Sequence, residues 1–203
     1  MYDAQQALAR LKEGNRRFVD GSVIHSFTGP ERRRELEAGQ APFAIILGCA
    51  DSRVPAEMVF DQGLGDLFVI RVAGNIVAPS QVGSVEFAAG RYGSRLVVVL
   101  GHSSCGAVMA TVEELNSPDG SHSRNVRSIV GRILPTVADL LELNENLSPE
   151  ETLARAIRAN IRASVDHLRH GSEILETLIR TEGLMVVGAH YSLETGEVEF
   201  MEL

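Results

Sequence analysis

Arg95-Leu96-Val97-Val98-Val99-Leu100-Gly101, running on into His102-Ser103-Ser104-Cys105-Gly106, decides the fold of this 203-residue chain. The apolar run shows no polar alternation and is bounded by a charge and a glycine. Such a run reads as a strand buried on both faces, as in a parallel sheet covered by helices. Phe43-Ala44-Ile45-Ile46-Leu47-Gly48, closed by Cys49, has the same form, and so has Leu67-Phe68-Val69-Ile70-Arg71-Val72. Leu184-Met185-Val186-Val187-Gly188 is a fourth such run.

Helical patterns separate these strands: a short one after Pro55, one at about 81–92 and one at 106–116. Strands alternating with helices indicate βαβ units. Beyond a loop cluster at Asn116 to Ser123 lies a long helical region. Ser148-Pro149-Glu150-Glu151 is a cap signal, with an apolar stripe of Leu153, Ile157, Ile161, Val165 and Leu168 behind it and Gly171 as its stop. Another helix covers about 172–182, and Tyr191 to Leu203, turning at Thr195-Gly196, ends in a short alternating strand.

At the other terminus, residues 3–19 form an amphipathic helix pattern capped by Asp3, and Gly29-Pro30 opens a second, highly charged helix. The first helix could pack on a partner subunit or fold back on its own chain; the pattern leaves both open. The fold class expected is α/β: a central, mostly parallel sheet of four strands plus a C-terminal edge strand, helices on both faces, and an N-terminal helical arm. It is read as a single domain over 1–203, with the arm at 1–40 and the α/β core at 41–203.

A composition of 44% hydrophobic and 23% charged residues is that of a soluble globular chain, long enough for one well-packed core. A net charge of −8 argues against a nucleic-acid partner. Arg32-Arg33-Arg34, the densest basic stretch, is flanked by Glu31 and Glu35 and reads as a solvated helix face. No apolar run approaches the roughly 18 residues that cross a bilayer, so no membrane partner is expected. The first ten residues carry no secretory pattern, and the localisation expected is cytoplasmic, where thiols stay reduced.

The chemistry gathers at the carboxyl ends of two of the strands. The chain has two cysteines, and each closes a buried run inside a polar cluster: Cys49-Ala50-Asp51-Ser52-Arg53 and His102-Ser103-Ser104-Cys105. Beyond the strand ends is where α/β sheets collect functional groups. Two thiolates and an imidazole suit zinc, and three protein ligands with an open fourth position is the catalytic pattern. A buried free cysteine is usually only a small hydrophobe. His102, Asp51 and Arg53 beside the pair make that bland reading hard to sustain. The remaining histidines, His25, His122, His167, His170 and His190, lack such company and read as surface or supporting residues.

Asp51 and Arg53, two apart, point the same way on an extended stretch and can form a charge-assisted pair. Held by Arg53, Asp51 stays ionised and can accept a hydrogen bond from zinc-bound hydroxide. Released, it could swing onto zinc and displace the water.

These motifs resemble the β-class carbonic anhydrases. Cys49-Ala-Asp51-Ser-Arg53-Val-Pro55, Asp66-Leu-Phe68-Val-Ile-Arg71, Ala73-Gly-Asn75, Gly101-His102-Ser-Ser-Cys105-Gly106-Ala107 and Gly188-Ala-His-Tyr191-Ser-Leu-Glu-Thr195-Gly196 carry the likeness. The resemblance implies reversible hydration of CO2 to bicarbonate and a proton. It implies one Zn2+ per chain on Cys49, His102 and Cys105, with Asp51 and Arg53 as the catalytic pair. Gln40, Phe68, Ala73 and Gly106 match substrate-pocket positions. It also implies a homodimer or homotetramer with the active site near the dimer interface. Phe87 stands where the plant-like branch often has Tyr. Ile46 stands where the bicarbonate-inhibited branch has Trp, which this chain lacks altogether; the plant-like branch, with an accessible zinc, is therefore favoured.

Two rival functions share these residues. One is a zinc hydrolase of another small linear molecule such as carbon disulfide. The other is a non-catalytic zinc-binding or thiol-sensing oligomer, which would have no use for Asp51 and Arg53.

Overall fold

The computed structural model describes residues 2–24, 29–116, 122–142 and 147–201. His25 and most of the loop cluster after Asn116 fall outside them. Five strands form one sheet: β1 (Ala44–Gly48), β2 (Leu67–Arg71), β3 (Leu96–His102), β4 (Met185–Tyr191) and β5 (Val198–Phe200), in the order β2-β1-β3-β4-β5. The first four are mutually parallel and β5 pairs antiparallel to β4. The helices are α1 (Ala4–Val19), α2 (Pro30–Leu36), α3 (Ala56–Val59), α4 (Pro79–Tyr92), α5 (Gly106–Asn116), α6 (Arg124–Glu142), α7 (Pro149–His170) and α8 (Glu173–Glu182). The α/β class with a mostly parallel sheet and a C-terminal edge strand is as expected.

Side-chain alternation divides the strands between two cores. Ile45, Leu47, Val97, Val99 and Val186 face one cluster with α4 to α8, while Ala44, Ile46, Leu96, Val98, Leu100 and Ala189 face the other with α1 and α3. All seven residues of β3 are buried. Burying each large aliphatic side chain contributes about 1.5–3 kcal/mol, which is why the least polar run became the central strand.

One boundary differs from the sequence reading. Strand β4 runs on past Gly188 to Tyr191, because Ala189, His190 and Tyr191 stay in register with Leu100, Gly101 and His102. Helix α6 carries Pro135 in its interior without ending there.

Helix α1 lies on its own chain's sheet. Its start is fixed by a capping box, Asp3 accepting from the Gln6 backbone at 2.8 Å and Gln6 Oε1 accepting from the Asp3 backbone at 3.1 Å. Leu11 is fully buried, and Asn15 donates to the carbonyls of Val59 and Gly196 while accepting from the Val198 N–H. Gly14 lets the helix approach: a β-carbon there would lie 1.8 Å from the Phe60 carbonyl oxygen. Gly14→Ala should therefore destabilise by about 3 kcal/mol, overpacking outweighing the better helix propensity of alanine. In a chain of this size that is a fall in Tm of roughly 6–12 °C, measurable by calorimetry. Among the described residues no helix is long and apolar enough to cross a membrane.

Candidate active site

Strands β1 and β3 are adjacent, so the residues just beyond their carboxyl ends meet. The ligating atoms of Cys49, His102 and Cys105 all lie within 4.8 Å of one another. All three residues are buried, His102 completely. Its Nδ1 lies 2.9 Å from the Ser103 carbonyl, an acceptor, so Nδ1 carries the proton and Nε2 presents its lone pair to the cluster. Nε2 is buried and has no hydrogen-bond partner among the described residues. A buried nitrogen lone pair without a partner is unfavourable unless something else fills its coordination.

The sulfurs are prepared for charge. Cys49 Sγ accepts the backbone N–H of Asp51 at 3.4 Å and that of Gly74 at 3.3 Å. Cys105 sits at the start of α5, where the Val108 and Ala107 backbone N–H groups favour its thiolate. Ser104 before it holds φ 55°, in the left-handed region, which turns the chain so that Cys105 faces Cys49. The neighbouring Cys105 thiol lowers the Cys49 pKa, while Cys49 and burial raise that of Cys105, so Cys105 holds its proton the more tightly. A metal would displace that proton. Two thiolates and the orphaned Nε2 of one imidazole fit zinc with a vertex to spare.

Asp51 and Arg53 form the expected pair. Arg53 Nε donates to Asp51 Oδ1 at 2.9 Å and Nη2 to Oδ2 at 2.7 Å, while the Arg53 backbone N–H also reaches Oδ1 at 2.9 Å. These bonds, the side-chain one foremost, hold the Asp51 carboxyl well below the usual carboxylate range. Asp51 Oδ2 lies 3.9 Å from His102 Nε2, so an ionised acceptor stands beside the cluster.

The carbonic anhydrase family profile matches residues 44–198 of this chain. Carbonic anhydrase 2 of Mycobacterium tuberculosis is 42% identical over 187 residues, covering 92% of this chain and 87% of that protein. The carbonic anhydrase of Mycolicibacterium smegmatis is 40% identical over 189 residues, 93% and 89% of the two chains. A structure described as one of two tetrameric β-carbonic anhydrases from Sordaria macrospora matches with a TM-score of 0.76 at 26% identity, covering 86% of this chain and 88% of that one. The chain belongs to the β-carbonic anhydrase family. It is an enzyme of the class that hydrates CO2 reversibly.

The four positions expected to line a pocket separate in space. Ala73 and Gly106 stay near the cluster: Ala73 opens the turn that places Gly74 on Cys49, and Gly106 opens α5 next to Cys105 with open space in front of it. Phe68 instead stacks with Phe87 and Tyr92, ring centroids 6.3 and 6.0 Å away. Gln40 donates to the Tyr92 hydroxyl at 2.9 Å, at the amino end of β1. A five-residue strand, rising about 3.3 Å per residue, separates it from Cys49.

Arg71, which the sequence reading quoted without a role, also reaches the loop from Cys49 to Asp51. Its Nε donates to the Cys49 carbonyl at 3.0 Å and its Nη2 to the Asp51 carbonyl at 2.7 Å. It clamps the loop that carries both Cys49 and Asp51. The available signal was an arginine ending a buried strand beside the cluster.

Proposed function

We propose that this chain interconverts CO2 and bicarbonate at a zinc ion held by Cys49, His102 and Cys105, with Asp51 and Arg53 as its catalytic pair. The observation that carries this reading is the lone pair of His102 Nε2, buried and unpartnered beside two thiols. Zinc bound there would supply a Lewis acid and a nucleophilic oxygen from water near neutral pH.

The rest is done by the chain. Asp51, kept ionised by Arg53, accepts a hydrogen bond from the attacking oxygen and so aims a lone pair at the carbon of CO2. Arg53 holds Asp51 away from the ligand set through two bonds, and Arg71 fixes the loop on which both depend. Ala73 and the bare α-carbon of Gly106 leave room for an uncharged linear triatomic. Ile46 is fully buried between β2 and β3, with no indole in its place, which supports the branch with an accessible metal.

Gln40 and Phe68 serve a pocket only if a second copy brings them to it, because in their own chain they lie away from the cluster. The exposed side chains of Phe87, Leu64 and Met58 are apolar surface available for that contact. The working unit is therefore a homodimer or a homotetramer of one domain per chain. Stopped-flow CO2 hydration, zinc analysis and light scattering on one sample test the whole reading. One zinc per chain, turnover far above buffer and a dimer or larger are expected; metal-loaded protein without CO2 turnover would overturn it.

A further inference from the structure

Helix α7 buries three polar side chains, Thr152 in its first turn and two more within an otherwise apolar stripe. Ala156, Ile157, Ile161, Val165 and Leu168 pack inward, and among them Asn160 and Ser164 are only 3% and 5% exposed. A buried amide or hydroxyl left without a partner costs about 1–3 kcal/mol, so what these two hold is informative. Asn160 Nδ2 donates to the Gly74 carbonyl at 2.8 Å, and Ser164 Oγ to the Asn75 carbonyl at 3.2 Å.

Four residues apart on one helix face, they grip two successive carbonyls of one turn. That turn presents the Gly74 N–H to Cys49 Sγ at 3.3 Å. It has little intrinsic preference for its shape. Gly74 stands at φ 70° and Asn75 at φ 45°, and for a residue with a β-carbon the left-handed region costs roughly 1–2 kcal/mol. The packing around it leaves no slack, since a β-carbon at Gly74 would fall 2.9 Å from Ile133 and 3.0 Å from Ala107.

We infer that Asn160, seconded by Ser164, is a positioning residue for the metal centre: it fixes the 73–75 turn from behind and thereby sets the Gly74 N–H against the Cys49 sulfur. The inference rests on the assignment of Cys49, His102 and Cys105 as metal ligands. An N–H donor draws charge from a thiolate, so the sulfur neutralises less of the charge on its metal and keeps a fixed direction. Without α7 behind it, the turn relaxes, the N–H leaves the sulfur, and both properties change together. Val165 packs in the same core yet makes no bond to the turn, so it separates positioning from mere stability.

The test compares wild type with Asn160→Leu, Asn160→Asp, Ser164→Ala, Ser164→Thr and Val165→Ala, each loaded with cobalt(II). Three quantities are read: the sulfur-to-cobalt charge-transfer absorption, the rate of cobalt transfer to a chelator, and the Tm of the metal-free protein. The Asn160 variants should shift the absorption and release metal about 10- to 100-fold faster. Asn160→Asp should be the most severe, because it sets an anion against the Gly74 carbonyl. Ser164→Ala should move the same way by less, and Ser164→Thr, which keeps the hydroxyl, should restore wild-type readouts. Val165→Ala should lower Tm and leave absorption and release unchanged. Should the Asn160 variants fail to fold, the Ser164 pair decides on the same readouts. Folded variants that lose Tm as Val165→Ala does, but keep wild-type absorption and release, would overturn the inference. Wild-type protein that binds neither zinc nor cobalt would instead overturn the ligand assignment beneath it.

Discussion

Cys105→Ala protein is expected to carry almost no zinc and to hydrate CO2 no faster than buffer. Three donors within 4.8 Å of one another make the proposed site, and removal of one leaves two with no substitute at hand. Asp51 is engaged on both oxygens by Arg53, and an alanine methyl offers no lone pair. The consequence for stability divides in two. Cys105 is 1% exposed, and trimming one buried sulfur from the metal-free protein costs about 1 kcal/mol. The larger difference appears when metal is added. Zinc present at about a hundred times its Kd would stabilise the wild type by about 2.7 kcal/mol, roughly 5–11 °C in Tm for a chain of this length. The variant should show no such rise. Scanning calorimetry with and without zinc, together with metal analysis, separates loss of the site from loss of the fold. A fully metallated, active Cys105→Ala protein would remove Cys105 from the ligand set.

Legibility in the sequence followed burial. The strands announced themselves because a sheet covered on both faces demands unbroken apolar runs, and Phe43 to Gly48 and Leu96 to Gly101 meet that demand without competition from helical spacing. The cluster was readable for a related reason: both cysteines end such runs, so strand adjacency alone brings them together. What stayed hidden depends on contacts far apart in the chain. The end of β4 was obscure because the apolar run closes at Gly188, and it is pairing with Gly101 and His102 that keeps His190 and Tyr191 extended. The place of α1 was undecided because its apolar face would suit either surface; the approach allowed by Gly14 and the three bonds of Asn15 put it on its own sheet. Arg71 and Asn160 act through backbone carbonyls, which no side-chain motif records. For Asn160 there was nonetheless a trace, an amide inside the α7 stripe where packing alone would have put an aliphatic residue.

Asp51→Asn tests the chemistry where Cys105→Ala tests the metal. The substitution preserves size and removes one charge, yet it cannot preserve the pattern of hydrogen bonds. Arg53 presents three donors to the two carboxylate oxygens, and an amide can satisfy the guanidinium only by turning its oxygen toward it. Its NH2 then faces the reacting oxygen, so a group that accepted a hydrogen bond there now donates one. The lone pair that should meet CO2 is drawn toward the introduced amide instead of being released toward the carbon. Loss of one such preorganised contact costs about 10²–10³ in kcat. CO2 is uncharged and gains little from Asp51 before it reacts, so kcat should fall by that factor while KM stays near the wild-type value. Zinc content should be unchanged, because Asp51 lies outside the proposed ligand set. Nor should wild-type activity show a limb from Asp51 in mildly acidic solution, since Arg53 keeps this carboxyl ionised well below its usual range. Stopped-flow kinetics across pH on protein of known metal content reads all of these. Full kcat in the metallated variant would show that Asp51 only braces Arg53, and loss of zinc would show that the carboxylate helps to hold the metal; either result removes it from the role of orienting the attacking oxygen.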